Sequence, residues 1–175
     1  MKKSPFTVSL TPLKRTKGAV AEFRVEETLN EALAVGLSVI PPDHVIAVGG
    51  ELQSVGEGVL VTGNVHATID AECSRCLRLT SHEFEAPIVQ LFVYEDTPYD
   101  DQTEDVLVIE NGSIDLDQPI RDALILDQPL SPVCSDDCRG LCLQCGIDLN
   151  AEPDHHHDDD IDSRWLSLSQ WGKMS

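Results

Sequence analysis

Apolar and polar positions alternate most strictly over residues 58–72, GVLVTGNVHATIDAE. Val65, Ala67, Ile69 and Ala71 fall on one face there, and Asn64, His66, Thr68 and Asp70 on the other. Such a period of two predicts a strand with one buried side. Residues 44–52 and 82–94 are similarly rich in β-branched side chains, and glycine-bearing breaks separate 44–52 from 58–72. Residues 4–10 read as a half-buried first strand and 106–110 as another, with 11–18 between strands as a basic loop. Asn111-Gly112 signals a tight turn leading into 114–116. Residues 19–29 fit a strand or the start of a short helix. Residues 30–40 mix both periods until Pro41-Pro42 stops them. His66 and His82 are expected on the polar faces of their strands.

The period then changes. Asp117 reads as an N-cap, Pro119 sits in a first turn, and Ile120, Ala123, Leu124 and Asp127 recur at helical spacing before Pro129 ends the helix. A second helix is expected near the C-terminus, capped by Asp162 or Ser163, with Trp165, Leu166 and Leu168 packing back on the body. Residues 95–105 contain six carboxylates and a proline and read as a solvated loop, since they lack the alternating register of a calcium loop. No fixed-period repeat is present. These elements predict an α+β fold: a mainly antiparallel twisted sheet or partly open barrel with two C-terminal helices and a metal-bound segment. Residues 1–130 would form the β-rich body with a basic arm and one helix, and 131–175 the metal-binding segment and final helix.

Composition narrows the partners. The chain has 175 residues, 41% apolar, which suffices for one real core. No apolar run is long enough to span a membrane, and the N-terminus lacks the apolar stretch of a signal peptide, so a cytoplasmic location is expected. The formal charge of −19 is uneven: six of twelve basic residues lie in the first 24 positions against Glu22 alone, giving that arm +5 and the remainder −24. A body so acidic repels phosphate backbones. With only 5% aromatic residues, base stacking is also a poor basis for binding. The arm, with Lys14, Arg15 and Lys17, can still touch RNA, and the acidic face can meet a basic protein.

The cysteines carry the chemistry. Cys73 and Cys76 form one C-x2-C, and Cys134, Cys138, Cys142 and Cys145 lie within twelve residues, followed by Gly146. In a reducing compartment clustered cysteines point to metal ligands or redox centres rather than disulfides. Paired thiolates two residues apart wrap one tetrahedral zinc, and a following glycine supplies the left-handed turn that aims backbone N–H groups at the sulfurs. Gly146 follows Cys145; Leu77 follows Cys76, so the first pair lacks that glycine. Three ligand sets are open. One joins the four downstream cysteines, and another joins Cys73 and Cys76 to a single downstream pair. A third holds two ions, one by Cys73, Cys76, Cys134 and Cys138, the other by Cys142, Cys145, His155 and His157 as C-x2-C-x9-H-x-H. Only the third uses every cysteine, and it is the favoured one. His155–His157 otherwise read as a solvated loop.

Sites closed by four protein ligands are structural, whereas a catalytic zinc keeps an open position. The deaminase, nucleophile-elbow, Walker and dinucleotide signatures are missing. A thioredoxin-like centre needs its C-x-x-C to open a helix, but a strand follows Cys76. A non-enzymatic protein is therefore expected, with a zinc or thiol-redox enzyme as the alternative. Arg75 and Arg78 flank the first pair and either offset thiolate charge or contact an anion.

Taken together, CSRCL (73–77), QPLSPVC (128–134), CRGLCLQCGIDLN (138–150) and IDSRW (161–165) resemble the YceD-type bacterial family of large ribosomal RNA subunit accumulation proteins, over roughly residues 60–166. Many members carry a further cysteine pair after C-G-x-x-L-N where this chain has His155–His157, which suits one metal-ligand pair replaced by another. The resemblance implies a cytoplasmic, metal-binding, non-enzymatic protein that supports 23S rRNA accumulation and 50S subunit biogenesis. Its expected partners are rRNA, a pre-50S particle, or a basic ribosomal or assembly protein, with no membrane and no small-molecule substrate.

Overall fold

The computed structural model describes residues 4–13, 16–97 and 106–157. Its framework is a hairpin of two long strands, β6 (Gly58–Glu72) and β7 (Leu79–Tyr94), paired antiparallel along their whole length. On its other side β6 pairs with β5 (Val45–Ser54) through its first half, and with β4 (Ser38–Ile40) near its end. β2 (Val20–Thr28) extends the sheet beyond β5, β3 (Leu33–Val35) beyond β4, and β8 (Leu107–Ile109) runs parallel to the end of β7. The resulting seven-stranded sheet is open, so the partly closed barrel is not what forms among the described residues.

The alternation in β6 resolves as expected, with Val65, Ala67, Ile69 and Ala71 between 0% and 7% exposed. Two ambiguous stretches become strands. Within 19–29, Val20–Thr28 form β2. Residues 30–40 fold into the β3–β4 hairpin, because Gly36 takes a φ of +58° and reverses the chain where either period would otherwise run on. Asn111 and Gly112, at φ +50° and +70°, make the expected turn, and Glu110 and Ser113 exchange both backbone hydrogen bonds across it.

One side of the sheet is covered by a small second sheet, β1 (Thr7–Ser9) with β9 (Ser113–Asp115), and by the helix α1 (Asp117–Asp127). Phe6, Ile114, Leu116, Ile120 and Leu124 fill the space between and are at most 1% exposed. Asp117 is the first helical residue, not the cap. Its N–H donates to the Asp115 carboxylate at 2.9 Å, and its own carboxylate receives Arg121 Nε at 2.8 Å. Gln128 caps the far end before Pro129, and α1 is the one helix among the described residues. The helix expected around 162–171 lies outside them.

The opposite face of β2–β5–β6–β7 is acidic. Glu22, Glu26, Glu51, Glu72, Glu83 and Glu85 are all exposed there. Glu22 and Glu51 sit directly across from each other on β2 and β5, a pairing of like charges that costs stability rather than adding it.

Candidate metal centres

The β6–β7 hairpin ends in the loop 73–78, which puts Cys73 and Cys76 at the tip of the longest ladder in the fold. The Cys73 N–H donates to Arg78 O and its carbonyl accepts from Leu77 N–H at 2.9 Å. Cys142 repeats both bonds with Ile147 O and Gly146 N–H at 2.8 Å. The two C-x2-C loops therefore share one backbone design, and each requires a left-handed residue at its fifth position. Gly146 meets that demand at φ +76°, while Leu77 meets it at φ +59° despite its Cβ. The missing glycine does not change the turn; the chain accepts strain there. Leu77→Gly should remove about 1–2 kcal/mol of left-handed strain against about 0.5–1 kcal/mol of added chain entropy. Leu77 is 59% exposed, so little packing is lost. Denaturant titration of the metal-loaded protein should find Leu77→Gly at least as stable as the parent, and Leu77→Val clearly less stable.

Two tetrads of ligand atoms converge. Cys73, Cys76, Cys134 and Cys138 form one, and Cys142, Cys145, His155 and His157 the other, with all four ligand atoms of each within 4.8 Å of one another. Cys73 and Cys138 sulfurs are 3.8 Å apart, and Cys76 and Cys134 sulfurs 3.6 Å. Zinc–sulfur bonds of about 2.3 Å in a tetrahedron separate the sulfurs by about 3.8 Å, whereas a disulfide needs about 2.05 Å. All six cysteines are free thiols. In the second tetrad Cys145 Sγ lies 3.2 Å from Nε2 of both His155 and His157, which are themselves 2.9 Å apart. Those separations are a few tenths of an ångström tighter than a zinc tetrahedron. Both donor sets thus fit a closed, four-coordinate ion of the zinc type.

The electrostatics agree with thiolate ligation. Burial pushes the Cys73 thiol up, but backbone N–H groups of Cys76, Arg75 and Cys134 outweigh it and bring it down to about 6. At Cys142 the N–H groups of Cys145 and Gln144 bring the thiol to about 7. Its neighbour Cys138 drives Cys134 up to about 12. Four crowded sulfurs cannot all ionise without a cation to share the charge, so a bound ion must displace the last protons.

Arg75 and Arg78, both exposed, make contacts within the chain. Arg75 Nη1 donates to the carbonyls of Asp136 and Cys138 at 3.1 and 3.0 Å, bracing the loop that brings the downstream pair. Arg78 pairs with Asp148 at 3.1 Å, tying one knuckle to the other. The Asp148 carboxyl is held below its ordinary range, chiefly by the Asn150 N–H and side chain and then by Arg78. Lys17 is exposed in the loop before β2, and Lys14 and Arg15 lie outside the described residues.

Sequence reasoning missed two residues. Asn150 accepts the Arg139 N–H at 2.8 Å and donates to Cys138 Sγ at 3.5 Å, so it links the loop after the second knuckle to a ligand of the first tetrad. Its signal was present as the last letter of C-G-x-x-L-N. Gly140, at φ +76°, lies under Arg75, where a Cβ would come within 2.9 Å of the Arg75 carbonyl oxygen. That closeness lets Leu141 N–H reach the same oxygen.

A β-hairpin knuckle closed by a distant cysteine pair, with a second cysteine–histidine tetrad beside it, defines a sheet protein with two clusters that could hold metal ions. The sequence profile described as "Large ribosomal RNA subunit accumulation protein YceD" matches residues 61–170, which include both clusters. The chain belongs to the YceD family. It is 41% identical over 169 residues to an uncharacterised protein of Mycobacterium tuberculosis, covering 94% of this chain and 80% of that protein. An uncharacterised protein of Mycobacterium leprae is 36% identical over 170 residues, covering 95% and 77%. The large ribosomal RNA subunit accumulation protein YCED homolog 1, chloroplastic, of Zea mays is 38% identical over 56 residues, covering 32% of this chain and 18% of that protein. No solved structure matches the chain. No helix among the described residues is long and apolar enough to cross a membrane.

Proposed function

We propose that this protein is a non-enzymatic factor that supports accumulation of 23S rRNA and assembly of the large ribosomal subunit, held in shape by two structural zinc ions. The observation that carries the reading is the family match over residues 61–170, together with the relative in Zea mays named for large ribosomal RNA subunit accumulation. The eight ligand atoms form two closed protein tetrads that leave no coordination position for water, which favours a structural over a catalytic metal. The lowered thiols of Cys73 and Cys142 favour the redox alternative. The same backbone N–H donors serve a metal thiolate equally well, and their partners sit in the tetrads rather than in an open cleft.

The protein acts in the cytoplasm on a pre-50S particle, by contact with rRNA through its basic arm or with a basic protein through its acidic sheet face. Depletion followed by sucrose-gradient and rRNA analysis tests this. The expected result is a lowered 23S-to-16S ratio and a reduced 50S peak, restored by the intact chain. Unchanged rRNA levels and subunit peaks after full depletion would remove the reading. An enzyme would instead reveal itself through a rapidly labelling thiol of the first tetrad in the metal-loaded protein.

A further inference from the structure

The two tetrads differ in every property that governs ligand exchange. In the first, Cys73, Cys76 and Cys138 are 0%, 7% and 5% exposed, and Cys134 alone is half-buried. In the second, Cys145 is exposed and Cys142, His155 and His157 are half-buried. A competing chelator must reach the ion or its ligands, and the second tetrad, with no buried ligand, offers the wider approach.

The chain around each tetrad differs in the same direction. Opening the first means parting the sheet hairpin from residues 132–141. That breaks the bonds from Ser74 N–H to Pro132 O and from Leu141 N–H to Arg75 O, and both Arg75 bonds. Opening the second means moving only the limb 151–157. Its backbone bonds are short-range turns, Ala151 and Glu152 N–H to Asp148 O and His155 N–H to Glu152 O. Across to the rest of the module it has the Arg139 guanidinium on Pro153 O at 3.0 Å and the His155 and His157 rings at Cys145. Local opening costs least where buried apolar contacts are few and backbone bonds are solvent-exposed.

We infer that the Cys142–Cys145–His155–His157 tetrad is an exchangeable zinc site that clamps the limb 151–157, whereas the Cys73–Cys76–Cys134–Cys138 tetrad is a permanent staple. The inference rests on the zinc reading above and adds its regulation. When free zinc falls, the second ion leaves first, and His155 and His157 swing away from Cys145. The sheet and the first knuckle stay intact.

The full-length zinc-loaded chain, mixed with the chromogenic chelator 4-(2-pyridylazo)resorcinol, should release one zinc equivalent at least about tenfold faster than the other. His155→Ala/His157→Ala should abolish the fast equivalent and leave the slow one unchanged. Hydrogen exchange during the fast phase should rise at 142–157 and stay low at 73–78. Release of both ions in one phase, or a fast phase that survives in the double variant, overturns the inference while leaving the family-based function standing. A protein isolated from cells with no zinc overturns the inference and the zinc reading together. Unaltered rRNA after depletion touches only the function.

Discussion

Cys73→Ser should strip one zinc equivalent from the protein and free residues 131–141 from the sheet while the strands themselves stay folded. The cysteines of the first tetrad form a small core of their own, separate from the main one, with only Val133 and Leu141 packed against it as half-buried partners. Two such side chains contribute about 2–3 kcal/mol between them, whereas structural zinc contributes about 10–16 kcal/mol of apparent folding energy. With zinc bound as proposed, the metal-ligand bonds therefore dominate. The main core draws on Phe6, Phe92, Ile120 and Leu124 and takes no part in the tetrad. Hydrogen exchange of the variant should lose protection at Ser74 and Leu141, whose amides bond across the staple, and keep it at Val61 and Val65 in mid-strand. Mass spectrometry under native conditions should count one ion in place of two. Two retained ions, or global unfolding of the sheet, would show that the cluster is not an independent staple.

Gly50→Ala is expected to damage the sheet about as much as truncation of a core side chain. Gly50 of β5 faces Gly63 of β6 across the ladder. A Cβ on Gly50 would stand 2.1 Å from the Thr62 carbonyl oxygen and 2.5 Å from the Gly63 Cα, and one on Gly63 would stand 2.3 Å from the Gly49 carbonyl oxygen. These obstacles are backbone atoms in adjacent strands, so relief requires the strands to part and lose ladder bonds. A cost of about 3 kcal/mol or more follows for either alanine. Gly56 provides the control, because a Cβ there meets nothing within 4 Å and its φ is not left-handed. Gly56→Ala should be neutral or stabilising by up to about 1 kcal/mol. Thermal melts of the three variants, zinc-loaded, decide the matter; equal melting of Gly50→Ala and Gly56→Ala would sink the close-approach argument.

What the sequence discloses depends on whether a feature is set locally. Alternation in residues 58–72 and the Asn111-Gly112 turn are local, and both stand in the structure as read. The two tetrads were legible for a different reason: they are the arrangement that leaves no thiolate idle, and the geometry assembles that set. Leu77 shows the limit. Nothing in its identity announces a φ of +59°, because the conformation is imposed by the hydrogen bonds closing the knuckle. The Gly50–Gly63 approach is likewise tertiary, since each glycine looks like an ordinary break until the pairing register sets them opposite. The sequence leaves Arg75 to offset thiolate charge or contact an anion, and gives no hint that its Nη1 donates to carbonyls more than sixty residues away.

The separation between the two halves of the first tetrad has a consequence for synthesis. Cys138 follows Cys73 by 65 positions, and Cys134 follows Cys76 by 58. At translation rates of about 5–20 residues per second, the hairpin leaves the ribosome about 3–12 s before its partners. During that interval the two thiols of Cys73 and Cys76 stand together on a nascent chain as half of a tetrad. His155 follows Cys145 by ten positions and His157 by twelve, so the second tetrad is complete within a few seconds at most after its knuckle emerges. Under the proposed two-zinc reading, the first pair therefore waits for its partners during synthesis, whereas the second tetrad completes almost as soon as its knuckle emerges.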